Sequence, residues 1–246
     1  FFFFFSFDVF FCYSVSQIYC TGMNHFFTDE LFIGLTGKIV GSGSGYPVPS
    51  SQANRADGGP GSGNKQQGAS HGGAGKSNAF NSIVGQGAGY GSYIWPTTMG
   101  SSGCCSNGRG GAAIVLDISK TFTHDGQIES KGQVAYTDYH GSGAGGSILI
   151  TTPNIHGSGT MNVNGGDAPG NSNGGVRGYG GGGGRIAVHC QSSSWTGQAT
   201  AYATDGASPG KFYCCVVALL RCCVVALLCC FVVSLFRCFV VSLFRC

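Results

Sequence analysis

The sequence predicts an all-β fold, a parallel β-helix (β-solenoid) with long Gly-rich loops, flanked by apolar low-complexity ends. Three observations predict it. A unit of fixed internal spacing is written three times. Short β-branched runs alternate between two faces. The 45 glycines, all but Gly22 lying between Gly34 and Gly210, punctuate those runs.

The unit places a large apolar residue, a glycine four later, an apolar residue two after that, and a closing glycine six residues beyond the first. It reads Ile33, Gly37, Ile39, Gly43, then Phe122, Gly126, Ile128, Gly132, then Ile155, Gly159, Met161, Gly165. Such self-similarity marks stacked repeats, because one repeat cannot bury its apolar face alone and neighbours must cover it.

The strands follow from alternation. Ile114, Leu116 and Ile118 fall on one face, with Val115 and Asp117 on the other, the pattern of a half-buried strand. Equivalent runs begin at Ile148 and Ile186, spaced 34 and then 38 residues apart. Stacking them predicts an inward ladder of Ile114, Ile148 and Ile186, and a second of Leu116, Ile150 and Val188. Ile39, Ile128 and Met161 form a third ladder on a short strand after the corner glycine. Gly141–Gly146 and Gly178–Gly184 are read as loops returning the chain. No stretch of residues 28–213 sustains a helical period.

Three zones result. Residues 1–27 are Phe-rich and read either as a signal-like segment, although Asp8 interrupts them and no basic segment precedes them, or as spurious, untranslated or mis-framed sequence. Residues 28–213 hold the Gly-rich repeats. Residues 214–246 form an octapeptide tandem tail of Cys, Val, Leu and Phe. Arg221 and Arg237 leave 15 residues between them, fewer than the roughly 20 a spanning helix needs. The tail therefore reads either as a membrane anchor with Arg237 snorkelling or as a low-complexity or misjoined extension.

Composition excludes several functions. Charged residues are 9% and the formal net charge is +3. With no basic stripe, nucleic acid is not expected as a partner. Eight of the 13 cysteines crowd into the last 33 residues, which is not a disulfide framework. The body has no Cys-x-x-Cys, so no zinc site is expected. Adjacent Cys104 and Cys105 read as small turn residues or as half of a bridge to Cys190.

The chemistry-bearing motifs are weak. Ser70–Ser77 has the Gly75-Lys76-Ser77 ending of a phosphate loop but neither a strand before it nor a helix after it. Gly141, Gly143 and Gly146 match a dinucleotide fingerprint but open a strand. Asp117, Asp125, Glu129 and Asp138 are the carboxylates a polysaccharide-cleaving enzyme would use. Stacking sets Thr151 opposite Asp117 and Asn162 opposite Glu129, so no acid/base pair is expected. Six histidines are scattered: His25, His71, His124, His140, His156 and His189. His124-Asp125 and His156 fall at similar points of successive repeats, which suggests a stacked polar pair.

Gly68-Ala-Ser-His-Gly-Gly73, Tyr90-Gly-Ser92, Gly146-Ser-Ile-Leu-Ile150 and Gly180-Gly-Gly-Gly-Gly-Arg185-Ile-Ala-Val188 together resemble large glycine-rich surface proteins of bacteria, protists, plants and animals. Their repeats end in Gly-Gly-Gly-Gly-Arg-Ile-Ala. The resemblance covers about Leu31 to Gly206. It implies an extracellular, β-helix-like segment of a longer protein, with no known activity or cofactor. Cys104-Cys105 stands where a glycine run is usual.

The resulting expectation is a non-enzymatic structural or adhesive segment at the cell surface or outside the cell, with no catalytic, cofactor or metal residues. Glycans or other surface proteins are its candidate partners, contacted by loops such as Asn171–Gly184, and the tail is a candidate membrane contact. The alternatives are a polysaccharide-active β-helix enzyme and a fragment of a longer gene product without a role of its own.

Overall fold

The computed structural model describes residues 2–12, 16–49, 55–63, 67–76, 88–103, 107–136, 140–168, 179–203, 207 and 209–216. Cys104, Cys105, Asp138, Ser77, Asn171 and the tail from residue 217 lie outside them.

Among the described residues, eleven strands form two parallel sheets. Long strands β1 (Phe2–Cys12), β3 (Met23–Ile33), β5 (Ala113–His124), β7 (Ser147–Gly157), β9 (Arg185–Trp195) and β11 (Lys211–Val216) pair in that order. Short strands β2 (Gln17–Tyr19), β4 (Lys38–Val40), β6 (Gln127–Glu129), β8 (Thr160–Asn162) and β10 (Gln198–Thr200) pair in parallel in the second sheet. The one helical element among the described residues is a 3-10 turn at Arg55–Gly58. No helix there is long and apolar enough to cross a membrane.

The predicted ladders form in register. Ile114 pairs with Ile148 and Ile148 with Ile186, while Leu116, Ile150 and Val188 make the next row. Ile39, Ile128 and Met161 align on the short sheet. All of these belong to one core lying between the two sheets. Each such side chain, fully withdrawn from water, contributes about 2 kcal/mol.

Two long strands reach past the boundaries read from the sequence. β3 runs unbroken across residues 27 and 28, with Phe26 in the core, and β1 pairs along it from Phe2 to Cys12. At the other end β11 pairs Lys211 to Val216 with β9. A fourth copy of the unit also exists, with Gly197 and Ala199 in the places of Gly159 and Met161. Ser193 replaces the leading apolar residue there, which hid it from the pattern.

The first glycine of each unit stacks on the one before. A methyl group at Gly126 would lie 2.3 Å from the Gly37 carbonyl oxygen, one at Gly159 2.6 Å from that of Gly126, and one at Gly197 1.9 Å from that of Gly159. Real side chains never approach so closely, so the corner admits glycine alone.

The glycine-rich segments are not simple return loops. Ser142 and Gly145 donate to the carbonyls of Tyr179 and Gly182 at 2.9 and 3.0 Å. Gly143 and Gly146 donate to Gln133 and Ser130 at 2.9 and 2.7 Å, and Ala144 donates to Ser101 at 2.9 Å. Partners on one neighbour thus recur every third residue. The same step joins Gly73 and Lys76 to Gly183 and Gly180, and Gly181 and Gly184 to Gly166 and Val163. A chain that meets the same neighbour every three residues is an extended threefold helix of the polyproline II kind. Missing side chains let these helices touch: a methyl group at Gly141 would fall 1.6 Å from the Gln67 carbonyl oxygen, and one at Gly143 1.9 Å from that of Arg109. The array satisfies its backbone laterally, as buried polar groups require.

Candidate functional site

The outer face of the long sheet carries the chemistry. Alternation sends Ser147, Leu149 and Thr151 of β7, and Arg185, Ala187 and His189 of β9, away from the core. Residues 88–100 cross this face as a strap. Ser147 Oγ donates to the Thr98 carbonyl at 2.6 Å, Arg185 Nε to the Tyr90 carbonyl at 3.0 Å, and His189 Nε2 to the Ile94 carbonyl at 2.7 Å. Leu149 and Ala187, bracketed by those anchors, are buried. Tyr90 OH donates to the Met99 carbonyl at 2.6 Å, and burial pushes its phenol well above the ordinary range. Arg185 is also withdrawn from water, which lowers the affinity of its guanidinium for its proton.

The strap ends in aromatic rings. Trp95 stacks on His189 with centroids 4.3 Å apart at 13°, yet stays 53% exposed. Tyr93 meets Tyr213 edge-on at 6.1 Å.

Beside this platform the long sheet opens. β5 carries an extra residue, because its register against β7 shifts between Asp117 and Thr121. On β7, Pro153 interrupts the paired positions Thr152 and Asn154; proline has no N–H to give the ladder. Bulge and proline together leave a cleft of about 370 Å³ lined by Ser119, Thr151, Pro153, His189 and Gln191, among others. None of its lining residues is an Asp, Glu, Lys or Arg. The Thr151 hydroxyl has no hydrogen-bond partner. Sequence reading missed this site, since its parts come from β5, β7 and β9, and only the bulge brings them together.

The expected carboxylates do not converge. Asp117 accepts a 2.5 Å hydrogen bond from His25 Nε2, across from Thr151 as the stacking predicted. Glu129 faces Asn162 and pairs with Lys131 at 3.2 Å. Asp125 Oδ1 accepts from the Ser158 amide at 3.0 Å, a corner role. Asp29, not singled out from sequence, accepts from Ser119 Oγ and pairs with Lys120 at 2.7 Å, contacts that hold its carboxyl below the ordinary value. Asp117, Thr151 and His189 occupy one cross-strand row. No hydrogen bond links Thr151 to either neighbour, so the nucleophile–base contact is missing from this arrangement.

The expected stacked pair of His124 and His156 does not form. The bulge in β5 shifts the register so that His156 pairs with Thr123. His124 then points into the core, fully buried, while His156 faces out and bonds Ser194 Oγ at 2.6 Å. Burial depresses the His124 pKa to about 4. His71 is buried likewise, donating from Nδ1 to the Gly145 carbonyl at 2.7 Å, with its pKa also near 4 through burial.

The two glycine motifs serve packing. In the phosphate-loop look-alike, the Gly75 amide donates to Ser70 Oγ and the Gly73 amide to Gly183 O. The donors an anion would need are already engaged. In the fingerprint look-alike, the Gly143 and Gly146 amides bond Gln133 and Ser130, and the run leads into β7. Of the expected surface loop Asn171–Gly184, residues 179–184 are described: Tyr179 is half-buried, and Gly180–Gly184 are buried within the glycine array rather than presented to solvent. Cys190 is a free, buried thiol in the core, with its pKa pushed up to about 11 chiefly by burial. Among the described residues no group of His, Cys, Asp and Glu could hold a metal ion.

No protein-family profile, curated protein or solved structure matches the chain.

Proposed function

We propose that this chain is a β-solenoid segment with a passive structural or adhesive role at a cell surface, belonging among glycine-rich surface proteins. One observation carries the reading: successive repeats stack strand on strand in two parallel sheets, with the glycine segments hydrogen-bonded beside them. Such a body is stiff because nearly every link is backbone to backbone, and contact surfaces usually sit on such rigid supports. Among the described residues, Asp29, Asp117, Asp125 and Glu129 are each occupied by a neighbouring basic, hydroxyl or amide group. That supports the non-enzymatic role over cleavage of a polysaccharide.

The test is a far-UV circular dichroism melt of the full chain, run beside a reducing-end assay on polygalacturonate and on neutral β-glucans. A β spectrum with a cooperative transition and no new reducing ends is expected. A featureless melt would sink the scaffold reading, and enzyme-dependent release of reducing ends would replace it with the hydrolytic one.

A further inference from the structure

We propose that the cleft at the β5 bulge, with Trp95 stacked on its lining residue His189, binds a neutral oligosaccharide. This rests on the adhesive reading and names its ligand class.

Size comes first. The cleft holds about 370 Å³, within the roughly 300–1,000 Å³ of small-molecule sites. It is open along the sheet, between the bulge at Ser119 and the interrupted ladder at Pro153.

Charge decides the class. No Asp, Glu, Lys or Arg lines the cleft. A phosphate or uronate would enter without a counter-charge and lose hydration that nothing replaces. A neutral polyhydroxyl ligand has no such cost.

The polar groups fit a ligand that both gives and takes hydrogen bonds. Gln191 is exposed and offers a carbonyl and an amide. His189 gives its Nε2 proton to Ile94, which leaves Nδ1 as the ring's other polar atom. Thr151 lines the cleft with its hydroxyl oxygen buried. Ser119 is already committed to Asp29, which fixes the rim of the bulge.

Trp95 supplies the apolar half. Sugar rings have C–H faces that pack on aromatic planes, while their edges need hydrogen bonds. Trp95 is held flat against His189 at 4.3 Å, so its plane is set before any ligand arrives. It nonetheless keeps half its surface in water.

The test titrates the full chain with hexasaccharides of β-1,4-glucose, β-1,4-mannose, β-1,4-xylose and β-1,3-glucose, and with α-1,4-galacturonate as the charged control. Tryptophan fluorescence and calorimetry report binding, and a circular dichroism melt accompanies each protein. At least one neutral hexasaccharide is expected to saturate with a dissociation constant on the order of 1 mM or tighter. Trp95→Ala and Gln191→Ala should each weaken it about tenfold while leaving the melt unchanged. Three results would overturn the inference while leaving the scaffold intact: no saturation by any neutral sugar up to about 10 mM, equal or tighter binding of the galacturonate, or binding indifferent to both variants. Loss of the cooperative melt in the unaltered chain would instead remove the scaffold reading, and this one with it.

Discussion

The imidazole of His124 and the indole of Trp195 lie 6.2 Å apart and within 19° of parallel, with Gly157 as the registered partner of Trp195. Phe122 also stacks on the imidazole, at 5.3 Å. The histidine fills space that two glycines leave. A methyl group at Gly159 would meet its Cε1 at 2.7 Å, and one at Gly157 would meet its carbonyl oxygen at 2.3 Å.

Alanine at either glycine should therefore be costly. Gly157 also has φ of +104°, where an L side chain is strained. Gly157→Ala and Gly159→Ala are each expected to lower the unfolding free energy by roughly 2–3 kcal/mol in urea titrations. Gly157→Ala should be the worse of the two. An unchanged midpoint for both would mean that the ring and corner relax freely.

Acid should weaken the fold through two imidazoles. Folded His124 and His71 take protons only near pH 4, whereas unfolded histidine does so near 6.5. Between those values the unfolded chain binds more protons, so stability falls as pH drops from 6.5 towards 4 and this source is spent below that. Each contributes a loss of roughly 3 kcal/mol across the window. In His124→Phe, which keeps a flat ring against Phe122 and Trp195, about half of the acid slope should disappear. Urea titrations at pH 7.5, 5.5 and 4.5 would read it, and an identical slope in the variant would show that His124 does not carry the effect.

The glycine array makes a sharper claim. At Gly141 a methyl group lies 1.6 Å from a backbone oxygen, whereas at Gly89 the nearest atom is 3.0 Å away. Gly141→Ala should cost roughly 3 kcal/mol and speed hydrogen exchange at Gly143 and Gly145. Gly89→Ala should stay within about 1 kcal/mol of zero. Equal effects at the two sites would show that the array is not tightly packed in solution.

Buried thiols should be slow to react. Burial pushes Cys20 up to about 12 and Cys190 up to about 11. Iodoacetamide labelling at pH 8, read by peptide mass spectrometry, should modify both about a hundredfold more slowly than in denaturant. Equal rates would place them at the surface.

Much of the sheet structure was legible in the sequence because period-two alternation fixes which side chains face in. Ile114, Ile148 and Ile186 could be aligned by that alone. The histidine pair could not, since one extra residue in the β5 bulge changes which face His124 takes relative to His156. Phe2–Cys12 shows too little alternation to announce a strand, and its pairing with β3 is a tertiary matter. The glycine array was hidden for a different reason. Glycine content says that backbones can approach, but not which backbone lies alongside: Gly141 meets Gln67, and nothing local to either residue says so. The cleft shares the first difficulty, needing the bulge and Pro153 at once.

The three-residue step of the glycine segments makes their length a discrete variable. Ser142 and Gly145 reach one neighbour while Gly143 and Gly146 reach another, so adding one residue would hand every donor to the wrong side. Adding three restores the original facing one turn further on. Natural or engineered variation in these segments should accordingly arrive in triplets of amino acids, much as a screw accepts a nut only after whole turns.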